Sequence, residues 1–510
     1  MKLRNQLVAL SSAILFAACS TDTVVSPLKV PTGPKLSVST ASSSGGYIVL
    51  LKGNSATGFV DKVATLGGSV DYLNAKAGFA TVSGLPASSV SALSALSVVS
   101  DVEADEVVSL ESPAPGAIAD AAVIDPPSIQ SESNPTTASR FTWQWNMGSI
   151  HAPAAWAAGK LGSSSVKVAI LDTGIDYNSL DANGLVDAAS STSFMNTYVR
   201  APTHADSVLT PQQAAARADN FVAATWFPSR AIYTDFNGHG TNVASQVSSK
   251  AVALAGVTSR TTLMAVKVLG NNGSGSLGSV MSGVLWAADH GADVANMSLG
   301  GAFAKSGNGR VVGIINKVFN YAKQQGMLIV VSAGNSDIDL QHDGNLYVNY
   351  CDAPHVLCVS AVGLTTATGN PDVPAFYSNY GKNVVGVAGP GGNATLDASG
   401  NIVPQVWPWG LDLASWVWSM CPKDRLAGFT AANVPVLTVC AAGNRISGFI
   451  GTSQASPHVT GLAALLVAQY GKGNPTLIKS LIQNSADPLD PALNGAFGSG
   501  RINVQRALGL

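Results

Sequence analysis

Three short stretches carry side chains able to make an oxygen nucleophilic. Val168-Ala-Ile-Leu-Asp-Thr-Gly-Ile-Asp176 puts a carboxylate, Asp172, where an apolar run gives way to a Thr-Gly turn. Asn237-Gly-His-Gly-Thr-Asn-Val-Ala244 sets His239 between glycines that let other groups approach closely. Gly451-Thr-Ser-Gln-Ala-Ser-Pro-His-Val-Thr-Gly-Leu-Ala-Ala-Leu-Leu466 places Ser453 at the start of an apolar stretch. Alone, each has a plain explanation: a turn-forming acid, a structural imidazole, a serine that helps cap a helix. Together they supply an orienting carboxylate, a base of suitable pKa and an attacking hydroxyl, the parts needed to activate a weak nucleophile near neutral pH.

Such parts work only if the backbone brings them together. Val459, Leu462, Leu466 and Tyr470 recur at three- and four-residue intervals, which predicts a buried helix with Thr452 as its N-cap and Gly471 as its stop. Ser453 then lies in the first turn, where unpaired N–H groups and the helix dipole stabilise negative charge. Upstream, apolar runs at 166–171, 262–269, 293–298, 327–332, 356–362 and 384–388 read as strands. Helical periodicity fills 277–289 and 311–324, with Gly291 and Gly326 just beyond. This alternation predicts an α/β fold, a mostly parallel sheet with helices on both faces, whose chemistry belongs past the carboxyl ends of the strands.

The N-terminal part is different in kind. Lys2 and Arg4 precede an apolar segment from Leu7 to Phe16 and the small pair Ala17-Ala18, as in an export signal over residues 1–19. Cys19, directly after Leu15-Phe16-Ala17-Ala18, resembles the lipid-attachment cysteine of a bacterial lipoprotein. Residues 20–46 are rich in Ser, Thr, Pro and Gly and read as a flexible tether. From 47 to 110 the order is strand, helix, strand, strand, helix, with a final strand pair around acidic turns at 98–108, a small ferredoxin-like α+β domain. Residues 111–140 form a Pro, Ala and Ser rich link to a domain spanning 141–510.

Composition narrows the function. Of 510 residues only 11% are charged, the net charge is −2, and no acidic or basic block occurs. Nucleic acid and anionic membrane surfaces are therefore not expected as partners, and membrane attachment would come only through lipid on Cys19. Setting Cys19 aside, four cysteines remain. They permit three pairings, of which Cys351 with Cys358 and Cys421 with Cys440 close the shortest loops, and an oxidising compartment would allow both. No spacing among them fits zinc.

Asp-Thr-Gly, then Gly-His-Gly-Thr, then Gly-Thr-Ser-x-Ala-Ser-Pro-His-Val, in that order, resembles the subtilisin-like serine proteases from about Trp143 to Leu510. The resemblance implies Ser453 as nucleophile, His239 as general base and acid, Asp172 as the group orienting the imidazole, and no catalytic cofactor. It also implies Asn335, in Val331-Ser-Ala-Gly-Asn335, as the oxyanion-hole side chain, in preference to Asn444, where Ala441-Ala-Gly-Asn444 repeats the local pattern. Gly273-Ser274-Gly275 and Ser298-Leu299-Gly300 resemble the cleft edges that pair with an extended protein or peptide substrate.

On the same resemblance the 47–110 domain is an inhibitor-type propeptide that aids folding and blocks the cleft. It is removed autocatalytically between about Val107 and Arg140, which would part the catalytic domain, expected to be a monomer, from any lipid on Cys19. Family members often bind structural calcium, and Asp337, Asp339 and Asp343 are the acidic loop residues to consider. Asn242 and Ser245 stand where histidine and glycine are usual, and Gln454 where methionine is common, which predicts no sulfoxide inactivation beside Ser453. The long connection before Ser453 carries Trp407, Trp409, Trp416 and Trp418, expected to pack that insert against the body. A noncatalytic protein on a decayed protease scaffold would lack a member of the triad, and none is missing. An α/β-hydrolase esterase would need Gly-x-Ser-x-Gly around Ser453, which is absent.

Overall fold

The computed structural model describes residues 43–53, 55–111, 118–121, 132–195, 229–364, 369–394, 402, 406–407, 410–411, 415–423 and 445–510. Cys19, Cys440, Asn444 and Trp409 lie outside them. The central sheet runs, from one edge to the other, through strands Val373–Pro374, Val356–Gly363, Leu328–Ser332, Val294–Met297, Lys167–Asp172, Thr262–Lys267 and Thr192–Ser193, with Val387–Pro390 also pairing to Val356–Gly363. Every pairing is parallel except that of Val373–Pro374.

Side chains alternate across this sheet and both faces are covered, which is why its strands read as unbroken apolar runs. Val168 and Ile170 enter one core with Val459, Leu462 and Leu466. Ala169 and Leu171 enter the other with Val280, Val284, Val318 and Phe319. Helix Thr452–Tyr470 fills the first face and is buried from Thr452 to Val467. Helices Leu277–Asp289 and Gly309–Gln324 cover the second. The strand expected at 384–388 begins later, at Val387–Pro390, because Val384 and Val385 are still held to Gly381 O in a turn.

The N-terminal unit forms an antiparallel sheet in the order Ser69–Asn74, Phe79–Ser83, Ser43–Leu51, Val99–Ser109, with Val49, Phe59, Val63 and Leu93 in its own core. The strand pair expected at 98–108 is one strand, Val99–Ser109. Its acids turn no corners; they are used laterally. Arg310 reaches Asp101 (3.4 Å) and Glu103 (3.0 Å), while Asp105 accepts from Gly278 N (2.7 Å) at the N-terminus of helix Leu277–Asp289. At the other end of that helix Asn74 donates to Asp289 (2.6 Å), so the unit grips both termini. Residues 111–140, expected as a plain link, contain a strand, Ile118–Ala121, and a short 3-10 turn at Pro135–Thr137, and a second such turn, Phe141–Trp143, follows directly.

Candidate active site

Asp172 ends its strand fully buried, and His239 opens helix His239–Val247. His239 Nδ1 lies 2.8 Å and 2.9 Å from the two Asp172 carboxylate oxygens, one of which also accepts from Thr173 N (2.7 Å). The tight fit depends on Gly240: a Cβ there would run into the Gly174 carbonyl oxygen. A second buried carboxylate, Asp235, steadies the helix start. Its oxygens accept from Asn237 N (2.8 Å), Gly238 N (2.9 Å), Thr241 N (2.8 Å), Thr241 Oγ1 (2.7 Å) and Thr173 Oγ1 (3.0 Å). Sequence reasoning passed over Asp235, although an Asp just ahead of a Gly-bounded helix start is a capping signal.

Ser453 is the second residue of its helix, whose N-cap is Gly451. Thr452, expected as the cap, is instead the first helical residue, and its hydroxyl is bonded to Asn335 Oδ1 (2.9 Å). Pro457 has no N–H, so the Ser453 carbonyl loses its helical partner. Ser298 Oγ supplies one at 2.8 Å, and is itself tied to Ser456 Oγ (2.7 Å) and Asn296 Nδ2 (2.9 Å). The Ser453 hydroxyl donates to the Ser298 carbonyl oxygen at 3.3 Å. No hydrogen bond joins it to His239 in this arrangement, whose ring rests edge-on to Phe449 at 6.4 Å between centroids.

Asn335 follows strand Leu328–Ser332 and its Oδ1 accepts from Thr452 N (2.8 Å), which locks the amide so that Nδ2 faces the cleft. What Nδ2 meets there is the protein's own chain. It donates to the Glu111 carbonyl oxygen (3.1 Å), and Asn335 N donates to the Glu111 carboxyl (3.2 Å). Burial pushes the pKa of that carboxyl up.

The residues before Glu111 lie as an added strand in the cleft. Val107, Val108 and Ser109 pair antiparallel with Ser276, Gly275 and Ser274, and Leu110 N donates to Gly273 O (2.9 Å). Ser109 also bridges to Gly300 on the opposite wall. The two expected cleft segments, Gly273 to Gly275 and Ser298 to Gly300, are thus brought to one bound strand. Leu299 offers only backbone there, its side chain being in the core.

Cys351 and Cys358 are disulfide-bonded, with Cα atoms 5.2 Å apart, and Cys421 is also disulfide-bonded. Of the acidic loop residues Asp337, Asp339 and Asp343, Asp339 is engaged by His342 (2.7 Å) and Gln341 N (3.0 Å). Among the described residues no group of three or more His, Cys, Asp or Glu is placed to hold a metal ion. Ser245 Oγ meets Ser419 Oγ (2.5 Å) and Asn242 Oδ1 accepts from Gln246 (2.7 Å), but Asn242 Nδ2 is buried without a hydrogen-bond partner among the described residues, so only the first departure behind the imidazole is fully absorbed by local polar contacts. Trp416 and Trp418 are buried; Trp418 stacks edge-on against Trp143 at 5.1 Å, and Trp145 Nε1 donates to Trp416 O (3.0 Å), packing the insert on the body. No helix among the described residues is long and apolar enough to cross a membrane.

The Subtilase family pattern matches residues 163–500. Thermitase from Thermoactinomyces vulgaris is 28% identical over 368 residues, covering 72% of this chain and 95% of thermitase. Subtilisin Savinase from Lederbergia lenta is 28% identical over 365 residues, covering 71% of this chain and 97% of Savinase. Among solved structures, the epidermin leader peptide processing serine protease of Staphylococcus aureus shares the fold with a TM-score of 0.64 at 22% identity, covering 91% of this chain and 98% of that one. With the family pattern spanning most of the chain and named proteases aligning along nearly their whole length, this chain belongs to the Subtilase family and is a serine endopeptidase.

Proposed function

We propose that the protein is an exported preproenzyme that cuts itself after Glu111 and then hydrolyses proteins through Asp172, His239 and Ser453. The observation that carries this reading is the seat of Glu111: its carbonyl oxygen is on Asn335 Nδ2 and the residues before it are paired along the cleft. That is how a substrate must lie to be attacked by the serine at the neighbouring helix terminus.

In the reacting arrangement the Ser453 hydroxyl turns from Ser298 O to His239, which takes its proton as Oγ bonds to the Glu111 carbonyl carbon. Asp172 holds the imidazole tautomer and stabilises its cation. The new oxyanion is met by Asn335 Nδ2 and by the Ser453 N–H. Collapse breaks the bond to Ser112, whose nitrogen leaves with the proton from His239. Water, deprotonated by His239, then cleaves the Glu111 ester and frees Ser453. No metal is needed at any step.

Residues 47–111 serve on this reading as inhibitor and folding aid. Their core is their own, and they cover the cleft and both termini of helix Leu277–Asp289. A lipid on Cys19 would leave with them, releasing the catalytic domain outside the cell. Two measurements test the proposal. A fluorophosphonate should label the wild type and fail on Ser453→Ala; equal labelling would refute the nucleophile. N-terminal sequencing of the active form should give Ser112; a mature protein beginning at Cys19 would refute self-processing.

A further inference from the structure

A lysine is rarely buried in full, because its amine is costly to strip of water unless the protein holds it by specific contacts. Lys267 is 1% exposed. It ends strand Thr262–Lys267, beside the strand that ends at Asp172, and the two residues stand directly opposite each other in the parallel register. Their side chains therefore leave the same face of the sheet. A side chain needed only for packing here could be Met or Leu, which carry no such desolvation cost.

Lys267 Nζ reaches both loops that carry the catalytic pair, donating to the Thr173 carbonyl oxygen (2.5 Å) and to Asn271 Oδ1 (3.2 Å). Thr173 serves the Asp172 side. Its N–H holds an Asp172 carboxylate oxygen (2.7 Å), while its hydroxyl donates to Asp235 (3.0 Å) and accepts from Gly240 N (2.9 Å). Asn271 serves the His239 side. Its carbonyl oxygen accepts from Asn237 Nδ2 (2.9 Å), and Asn237 Oδ1 accepts from His239 N (3.2 Å). One buried amine thus joins the turn after Asp172 to the turn before His239, residues 67 positions apart. The substrate edge beyond Asn271 is held separately: Gly270 N donates to Ser274 O (2.7 Å), and Ser274 N to Asn272 Oδ1 (3.0 Å).

Resting on the proposed triad and on self-processing, we propose that Lys267 is a positioning residue for the hydrolysis, holding the Asp172 and His239 turns in their reacting arrangement through Thr173 O and Asn271 Oδ1. It touches neither the substrate nor the reacting atoms. Without it the imidazole and its carboxylate shift relative to Ser453, so the proton transfer is poorly aligned. Substrate seating stays as it is, because the Ser274–Ser276 edge closes on its own hydrogen bonds.

The test starts with Lys267→Met in the full chain, which keeps a long apolar stem and removes the hydrogen bonds to Thr173 and Asn271. The first-order rate of self-cleavage should fall about 10- to 100-fold, the loss that a displacement of about 1 Å brings. A rate within about twofold of the unsubstituted chain would overturn the proposal. In the Ser453→Ala precursor the same substitution should lower exchange protection of the Gly240 amide, bonded to Thr173 Oγ1, and spare that of Leu110, bonded to Gly273 O. Equal loss at both amides would mean general loosening and would also overturn it. Asn271→Ala breaks only the second arm, since the Asn237 contact uses the Asn271 main chain. It should slow self-cleavage alone and add little on top of Lys267→Met, while Asn271→Asp, which keeps the acceptor, should recover the rate. Additive losses would separate the two residues and overturn the proposal. An unsubstituted chain that fails to cleave itself, or a Ser453→Ala chain that does, would count against the self-processing reading, and the exchange comparison would still judge Lys267.

Discussion

Asn335 holds Glu111 at two points, side-chain amide to carbonyl oxygen at 3.1 Å and backbone N–H to carboxyl at 3.2 Å. The first contact is one that any residue in that seat can make. The second depends on the side chain and ties the inhibited state to pH, because burial raises the Glu111 pKa against only a partial correction from Asn335.

The sign follows from comparing the seated and released chain. Seated, Glu111 keeps its proton to a higher pH than it does in water, so the complex binds more protons than its separated parts. Seating is unpenalised below the ordinary carboxylate pKa, and weakens as pH rises from there through the raised value. The inhibition constant of the cleaved 47–111 fragment should therefore increase across that window, and Glu111→Gln should flatten the rise. A fragment whose affinity changes with pH equally with Glu or Gln would place the dependence elsewhere.

Asn335→Ala removes the amide that faces the developing oxyanion. Turnover should fall by about 10²–10³, the range established for such a donor in subtilisin itself, with little change in KM. Because Asn335 Oδ1 also accepts from Thr452 N (2.8 Å), part of the loss would come from a loosened helix start. Asn335→Asp separates the two: it keeps the acceptor and removes the donor, so exchange protection of the Thr452 amide should stay near its unsubstituted value while turnover still falls. A full turnover rate in Asn335→Asp would remove Nδ2 from the mechanism.

How far the site could be read in advance depends on the range of the signal. Asp172, His239 and Ser453 stand in local motifs, and the apolar runs behind them fix strand and helix because both sheet faces are buried. Thr452 was misread as a cap because its hydroxyl could serve N-cap or neighbour equally well; Asn335, distant in sequence, decides for the neighbour. The acids of 99–109 suggested turns, whereas backbone pairing with Ser43–Leu51, well back in the chain, makes that segment one strand, and partners such as Arg310 and Gly278 take up its acids. Glu111 and Ile118–Ala121 were unreadable for the same reason. Glu111 is seated by Asn335 and Ile118–Ala121 by pairing with Ile446–Phe449, partners far along the chain that leave no pattern in the local sequence.

Asp235 is the residue most exposed to test among those without a motif. It accepts from three backbone N–H groups at the start of the His239 helix. Asp235→Ala leaves those buried donors unmet, at about 1–3 kcal/mol each before relaxation. The melting temperature of the Ser453→Ala precursor should drop, and in the active enzyme kcat should fall more than KM changes, since His239 loses its footing. Asp235→Asn, which keeps an acceptor, should recover much of both. An unchanged kcat in Asp235→Ala would show that Asp172 alone positions the imidazole.

His458 should set part of the acid limit. It is fully buried in the Ser453 helix, with Nδ1 on Gln454 O (2.7 Å) and Nε2 on Asn146 Nδ2 (2.7 Å), the pattern of a neutral ring that donates at one nitrogen and accepts at the other. Burial lowers its pKa to about 4. The unfolded chain therefore takes up a proton near pH 6.5 that the folded chain refuses until about 4, so stability is lost as pH falls through that interval, by about 3 kcal/mol at most. Unfolding of the Ser453→Ala precursor, followed across pH 4 to 7 so that self-digestion does not interfere, should show this slope. His458→Gln should be less stable at pH 7, because packing and the Asn146 contact are disturbed, yet should lose less on acidification. If both proteins lose stability in parallel, the acid sensitivity belongs to other groups and His458 is only a packing residue.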